Sequence, residues 1–494
     1  MLTMLRLASQ CGLRILCLLA VSLFVPAFAR AQDTAADNHP ANTVSTEKIQ
    51  QDAQSQNVAP ASSGSDSGSA VTLFPHSLTS RYWISGQANV VMQWNPTLPA
   101  KYSGKNSFGP AAQNATSRVY TLFLGYQLTR TTEVFLDVES AGGHGLSNAL
   151  GLAGFLNLDV VRNPELGDLP YIARVMIRQI IPLGGGKPVD AQRGPLALAT
   201  SLPARRLEIR LGKFTMPDFF DLNTYGTDSH LQFLNWTVDN NGAFDYSANT
   251  RGYTDGLILE YDDHWWTVRF AETLMSKVAN GINLDANLAR SRASTLEFEA
   301  RGKLIAHRDG VVRLLTYLNA ANMGNYEQAI RAFENGETEA PDIISTRRQG
   351  RHRYGFGLNA DLAVTPQIGI FGRLGWSDGR NEAYEYTEVD RTFQLGAFSK
   401  GDRWKRPNDR TGIVFVANGI VKSHQQYLAL GGLGFLLGDG ALTYGPEKIL
   451  EAFYTTHIGR GFFASFDVQH INNPGYNKDR SPLVAPGLRL HVDF

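Results

Sequence analysis

The sequence predicts an all-β fold, a transmembrane antiparallel β-barrel of about 16 strands with short periplasmic turns, long outer loops and one inward-folded constriction loop. Three observations lead to this prediction. The chain begins with an export signal, apolar and polar residues alternate from residue 84 to residue 494, and short connections alternate with long ones.

Residues 1–31 have the composition of a secretory signal peptide. Two arginines precede an apolar run over 15–28, and Ala29 and Ala31 offer two cleavage positions, both of which the sequence leaves open. The apolar run is shorter than the ~20 residues that a membrane-spanning helix needs. We therefore expect Sec export followed by cleavage of the signal.

Both cysteines of the chain, Cys11 and Cys17, lie in this signal. A mature chain without cysteine has no disulfide, thiolate metal site or cysteine nucleophile. The chain has 46 basic and 46 acidic residues, so its charge does not indicate a nucleic-acid partner.

Residues 32–80 are predicted to be a flexible polar periplasmic leader, and residues 81–494 the barrel domain. The segment 32–70 is rich in Gln, Ala, Ser and Asn and contains no Phe, Trp or Tyr. Such a composition buries too little apolar surface to order the chain.

The barrel prediction depends on a period of two, which gives each strand one apolar and one mainly polar face. Short turns at 129–131, 263–264 and 459–461 alternate with long loops, and 182–204 is a long connection where a short turn is expected. Helices are expected only inside loops, at 144–161 and 325–333. The candidate strands are 84–94, 117–128, 132–140, 172–181, 205–213, 252–262, 265–274, 293–304, 311–321, 352–363, 366–376, 390–398, 411–420, 447–458, 462–471 and 484–494.

A soluble β-sandwich would also alternate apolar and polar residues. Two features favour a membrane barrel. Many candidate strands approach the ~10 residues that cross a bilayer, which is longer than usual soluble strands. The last strand alternates up to a terminal Phe494, a carboxy-terminus typical of the signal read by the outer-membrane barrel assembly machinery. We expect insertion in the outer membrane of a Gram-negative cell, in contact with its lipid.

The polar faces of these strands carry charges that a dry soluble core would not tolerate. Both signs occur, which suits neutral solutes rich in hydroxyl groups better than a filter for one ion sign. The predicted pore-lining charges are Arg174, Arg178, Arg206, Glu208, Arg210, Arg269, Glu297, Glu299, Arg301, Arg313 and Arg373.

The loop 214–251 follows the fifth strand and is predicted to narrow the pore. It combines aromatic rings, which fit the C–H face of a sugar, with carboxylates and amides, which bind its hydroxyls. The alternative is that the aromatic rings only pack the loop against the wall. The candidate substrate-binding residues are Trp236, Phe233, Phe219, Tyr225, Asp218, Asp221, Asn235 and Asp245.

Several segments resemble one known family. They are GKFTMPDFFDLNTYGTDSHLQFLNW, NNGAFDYSANTRGYTDGLILEY, WKRPNDRTGIVF, GDGALTYGPEKILEAFY and the closing PGLRLHVDF. In this order they resemble the carbohydrate-selective (OprB-type) porin family over most of the chain from residue 83. The resemblance implies passive diffusion of small carbohydrates into the periplasm through a narrow constriction, with no cofactor.

Two other functions remain open at this stage. A general or anion-preferring porin would follow if arginines dominate the field in the pore. A barrel enzyme acting on lipid or glycan would need a carboxylate pair such as Glu297 and Glu299, but these face the same side of one strand. No catalytic or metal-binding residue is expected, since G-x-S-x-G and His-Glu-x-x-His motifs are missing. Monomer and trimer both remain open.

Overall fold

The computed structural model describes residues 72–160, 166–305 and 307–494. In this part of the chain, 16 strands pair antiparallel with their neighbours and close into a barrel. The predicted fold class is therefore confirmed. The predicted signal peptide over 1–31 and residues 32–71 of the predicted leader lie outside the described residues.

Each of the candidate strands has a counterpart in the barrel, and two further short strands, β5 and β6, pair with each other. Strand ends differ from the prediction by up to four residues. The strands are β1 (Tyr82–Asn95), β2 (Gln113–Thr129), β3 (Thr132–Gly143), β4 (Tyr171–Pro182), β5 (Val189–Asp190), β6 (Ser201–Leu202), β7 (Arg206–Phe214), β8 (Thr254–Asp262), β9 (Trp266–Thr273), β10 (Arg292–Ile305), β11 (Arg308–Met323), β12 (Arg348–Ala363), β13 (Ile368–Ser377), β14 (Arg391–Lys400), β15 (Arg410–Gly419), β16 (Glu447–Gly459), β17 (Phe462–Asn472) and β18 (Leu483–Asp493).

The barrel closes between its first and last strands. The register pairs Gln87 of β1 with Asp493 of β18. The ladder continues to the last residue, because the N–H of Gly86 donates to the carbonyl of Phe494 at 2.6 Å and the N–H of Phe494 donates back at 2.8 Å. A Cβ at Gly86 would lie 2.5 Å from the Phe494 ring, so only glycine allows this ring to pack there.

The alternation of side chains separates an apolar outer face from a polar inner face. Phe466 on the outer face is 62% exposed, whereas its neighbour Asp467 is 5% exposed. Leu358 and Asn359 differ in the same way, at 37% and 1%. Exposed apolar rows on strand after strand match a lipid-facing surface.

The two ends of the barrel differ in the length of their connections. Both described termini of the barrel domain and the short turns, such as Arg130–Thr131 and Arg460–Gly461, lie at one end, called here the short-turn end. Long connections, including 215–253 and 324–347, lie at the other, the long-loop end. This layout follows the prediction.

The connection between β4 and β7 is long although it lies at the short-turn end. It contains the β5–β6 pair, and residues 193–199 are buried. Arg193 donates to the carbonyl of Tyr82 at 2.8 Å, and the N–H of Leu198 donates to Glu133 at 3.2 Å. The connection therefore folds against the inside of the barrel at this end.

In the part of the chain that the structure describes, the α-helices lie in connections: α1 (Trp236–Asp239), α2 (Tyr326–Glu334) and α3 (Lys422–Ala429). Helix α2 confirms the prediction at 325–333, and its first residue is preceded by Asn325, which accepts from the N–H of Gln328. The expected helix at 144–161 is wrong for the described residues 144–160, which form only a short 3-10 turn with left-handed backbone. None of the helices that the structure describes is both long and apolar enough to cross a membrane.

Candidate functional site

The connection between β7 and β8, residues 215–253, is called here the constriction loop, and it lies inside the barrel. The N–H of Asn235 donates to Glu451 of β16 at 3.3 Å, and its amide donates to Gln469 of β17 at 2.9 Å. Arg489 of β18 donates to the carbonyl of Ser229 at 2.6 Å. Because β16 lies opposite β8 in the closed ring of strands, the loop crosses the lumen. The predicted inward fold of this loop is confirmed.

Two carboxylates attach the near side of the loop to wall arginines. Asp218 accepts from Nε and Nη2 of Arg174 at 2.8 and 3.0 Å. Asp221 lies 2.9 Å from Nε of Arg373, and its N–H donates to Glu297 at 2.7 Å. All five side chains are buried. In this conformation the two predicted sugar-binding carboxylates hold the loop in place.

The other predicted polar residues of the loop make local contacts. Asn235 accepts from the N–H of Thr237 at 3.0 Å and begins α1. Asp245 accepts from the N–H of Tyr384 at 3.0 Å and lies 3.3 Å from Arg353. Burial raises the pKa of Asp245, although the charge of Arg353 opposes this shift.

Trp236 lies in a packed aromatic cluster. Its ring centroid is 4.0 Å from that of Phe155 and 5.2 Å from that of Tyr386, with which it stacks. The side chain is 2% exposed. No face of the indole is open to a solute in this conformation, so its geometry matches the packing alternative.

The remaining predicted aromatic residues differ in exposure. Phe233 packs edge-on against Phe453 at 4.8 Å and is buried. Phe219 is buried beneath the guanidinium of Arg210, which lies 4.8 Å from its ring centroid. Tyr225 is only partly buried. Of the four predicted rings, Tyr225 is the one accessible to a solute.

The predicted pore-lining charges lie on the inner face and form ion pairs. Most of them belong to one connected network, whereas Arg174 pairs with Asp137 and Asp218, and Arg373 pairs with Asp221. Glu299 contacts both Arg269 and Arg313, at 2.9 and 3.0 Å, and Glu208 contacts both Arg178 and Arg206, at 2.7 and 2.6 Å. Every predicted arginine has a carboxylate partner. The further pairs are Arg174–Asp137, Arg210–Glu208, Arg210–Glu260, Arg269–Glu297, Arg301–Glu299, Arg313–Asp361 and Arg373–Asp221.

These ion pairs occupy one side of the wall, from β3 through β13. The opposite side carries mainly amides and hydroxyls, together with four buried charged residues, Glu447, Glu451, Asp467 and Arg489. The amides and hydroxyls include Gln87, Asn89, Gln93, Thr121, Gln394, Asn418 and Gln469. Within the network, Glu208, Glu260 and Asp262 come close enough to share a cation. Arg206 and Arg210 already contact these carboxylates, so the positive charge that a metal would supply is present.

Residues 174–494 match the family described as "Carbohydrate-selective porin, OprB family". The chain belongs to the OprB family of carbohydrate-selective porins. It is an outer-membrane protein for passive diffusion of carbohydrates, and its short-turn end, which carries both termini of the barrel, faces the periplasm. No curated protein sequence matches this porin.

One solved structure shares the barrel fold, and a second is a weaker match. OprB of Pseudomonas putida, in its high-pH structure, superimposes with a TM-score of 0.62 at 15% sequence identity, covering 84% of this porin and 94% of that chain. The outer membrane channel DcaP of Acinetobacter baumannii gives a TM-score of 0.44 at 9% identity, covering 84% and 97%.

A second inward segment, residues 378–390 between β13 and β14, was not predicted from the sequence. Its Tyr386 stacks on Trp236, and its Glu388 accepts from Nε2 of the buried His424 at 3.1 Å. Nδ1 of His424 lies 3.5 Å from Asp390. The only available signal was a cluster of aromatic and acidic residues, NEAYEYTEVD, in a loop that should have been more polar.

The interior of this porin is most accessible near the periplasmic end of the constriction loop. Thr224 and Tyr225 are partly exposed there, as is the pair Arg410–Asp228, whose side chains are 3.4 Å apart and 24% and 15% exposed. This group combines an aromatic ring (Tyr225), a hydroxyl (Thr224), a hydrogen-bond donor (Arg410) and an acceptor (Asp228). It is therefore a better candidate for solute contact than the buried Trp236.

Proposed function

We propose that sugars cross this porin between the constriction loop and the inner wall, with Tyr225 as the aromatic contact. The observation that carries the proposal is the pairing of the wall charges. Guanidinium groups donate and carboxylates accept, so paired arginines and carboxylates can replace the hydration of a hydroxyl-rich solute without favouring either ion sign.

Two observations favour this proposal over the alternatives, an anion-preferring porin and a barrel enzyme. An anion-preferring pore needs arginines that dominate the field, whereas the predicted wall arginines each contact a carboxylate. A glycosidase-like enzyme needs two carboxylates opposed across a substrate, whereas Glu297 and Glu299 share Arg269. The porin needs no cofactor for diffusion, and we infer that it has no catalytic activity.

Export and assembly complete the proposal. Residues 1–31 direct Sec export and are removed, residues 32–80 remain as a polar periplasmic leader, and residues 81–494 insert as the barrel in contact with outer-membrane lipid. Phe494 is the signal for the barrel assembly machinery. The close packing of its ring against Gly86 supports this role. A monomer and a trimer are both compatible with this assignment.

Liposome swelling tests the function directly. Vesicles containing the purified porin should swell in glucose and maltose faster than in potassium salts of similarly sized anions, and the reversal potential in a salt gradient should be small. Equal permeation of sugars and anions of matched size would support a general porin. Release of products from lipid or glycan by the same preparation would support an enzyme.

A further inference from the structure

A cavity lies at the periplasmic end of the barrel, between the constriction loop and the wall formed by β1 and β18. The cavity has a volume of about 230 Å³. Its lining comes from four parts of the chain: the segment before β1, the β4–β7 connection, the constriction loop and the strands β1 and β18.

The polar lining of the cavity offers both donors and acceptors. Gln87 is 4% exposed, and its Nε2 has no hydrogen-bond partner among the described residues. His230 and His491 stack with ring centroids 5.3 Å apart, and His491 lies 3.0 Å from Asp493. A buried amide that lacks a partner costs free energy, which a ligand hydroxyl in the cavity would recover.

Charged groups of both signs surround the cavity. Asp228 and Asp493 line it together with Arg193, and Arg410 contacts Asp228 at 3.4 Å. Apolar surface is present as well, from Trp83 and from Phe123 and Leu231, which line the cavity too. Charges of both signs, several hydroxyl-binding groups and an apolar patch fit a neutral sugar better than a purely apolar molecule.

The cavity lies between the constriction loop and the segment before the first strand. Asp228, His230 and Leu231 belong to the constriction loop, whereas Thr72 and His76 precede the first strand. A solute that has passed the loop therefore meets this cavity before it leaves the barrel. We propose that the cavity is a second sugar-binding site, an exit site for a neutral mono- or disaccharide. This inference rests on the proposed sugar pathway.

Protection of a thiol from labelling tests the site in the full-length porin. Ser85 lines the cavity, while Ser77 is exposed at the same end outside it. The Ser85→Cys and Ser77→Cys variants would be labelled with a maleimide, with the labelled peptide identified by mass. Glucose at ten times its half-protecting concentration should slow labelling of Ser85→Cys about tenfold and leave Ser77→Cys unchanged. Potassium chloride of equal osmolality should protect neither.

A second pair of variants tests the unpartnered amide. Gln87→Leu should raise the half-protecting glucose concentration about threefold to tenfold, the usual effect of one hydrogen bond. Gln93→Leu is the control, because Gln93 lies on the same face of β1 and donates to Leu156 at 3.1 Å outside the cavity. An equal effect of both changes would overturn the assignment of Gln87.

Liposome swelling with the same preparations separates this inference from the proposed function. If glucose enters the vesicles but does not protect Ser85→Cys, the exit site is wrong and the sugar pathway stands. If glucose protects Ser85→Cys but does not enter the vesicles, the sugar pathway is wrong and so is the exit role of the cavity, although the cavity binds glucose. Protection of both thiols to the same extent would overturn the exit site.

Discussion

The rings of Trp236 and Tyr386 stack with centroids 5.2 Å apart and planes 18° apart, and the Tyr386 hydroxyl donates to the carbonyl of Trp236. Trp236 belongs to the constriction loop, and Tyr386 to the second inward segment. This contact joins the two inward segments of the barrel, so the shape of the constriction depends on both.

The first prediction separates packing from solute binding in the constriction. Trp236→Ala should destabilise the loop by about 3–5 kcal/mol, the usual cost of removing a buried large ring, and should increase open-channel current noise. Tyr225→Ala should instead weaken the block of ion current by sugar with little change in noise, because Tyr225 is partly exposed. Planar-bilayer recordings with glucose and maltose measure both. A loss of sugar block in Trp236→Ala without added noise would restore the role of Trp236 as a sugar platform.

The second prediction concerns two arginines of the inner wall. Arg210→Ala removes one positive charge but leaves Glu208 paired with Arg178 and Arg206, so stability should change little and ion preference should shift toward cations. Arg269→Ala should cost about 3–5 kcal/mol, because removal of a buried partner leaves carboxylates uncompensated. Reversal potentials and urea unfolding in detergent provide the measurements. Equal destabilisation by both changes would contradict this account of the network.

The third prediction tests the lipid-facing surface. Phe466→Arg should destabilise the barrel by about 2–4 kcal/mol if the site lies near the bilayer midplane. Phe466→Leu, which keeps an apolar side chain at the same position, should have much less effect. Unfolding from lipid vesicles gives the free energies. If arginine and leucine behave alike, residue 466 does not face lipid.

The fourth prediction concerns pH at the long-loop end. His424 faces Glu388 and Asp390, stacks on Tyr326, and is linked through Asp390 to Arg353. Burial alone would lower its pKa, but its bonds to Asp390 and Glu388 raise the pKa above its ordinary value. A raised pKa stabilises the folded protein fully below the unfolded value of about 6.5 and loses this effect as the pH rises through the folded pKa.

The long loops should therefore become more sensitive to protease as the pH rises above the folded pKa of His424. His424→Gln keeps a hydrogen-bonding side chain without the charge and should remove the pH dependence in the same range. Limited proteolysis of the folded porin at a series of pH values measures the effect. A His424→Gln profile that follows the wild type would assign the pH dependence to another group.

The fifth prediction tests the terminal residue. Phe494→Asp should leave export intact but reduce insertion, since the change places a charge where the ring packs over Gly86. Heat-modifiable mobility on gels reports the folded fraction, and Phe494→Tyr serves as the aromatic control. Normal insertion of Phe494→Asp would contradict the role of Phe494 as assembly signal.

The strands were predictable because their signal is local and repeats every two residues. The alternation at Leu358–Asn359 indicates which side chain faces inward without any knowledge of the neighbours. Strand ends were less accurate: β12 begins at Arg348, before the predicted 352, because its register with β11 extends to Met323 at the long-loop end. Pairing across strands decides such ends, and a single strand does not contain that information.

The interior of the barrel was harder to predict. The inward position of wall residues such as Arg178 follows from the alternation, but their partners belong to other strands and loops. Trp236 illustrates the difficulty, since a ring beside carboxylates in a loop fits both a sugar platform and a packed core. Which of these occurs depends on Tyr386, far along the chain in a segment without periodicity.

The closing contact between Gly86 and Phe494 also limits the order of events during assembly. The first strand obtains its second neighbour only from β18, so it keeps an unpaired edge until β18 has been synthesised and exported. Open strand edges invite association with other chains, and contacts so distant in sequence form slowly. Before the barrel closes, this chain is therefore most prone to associate with other chains.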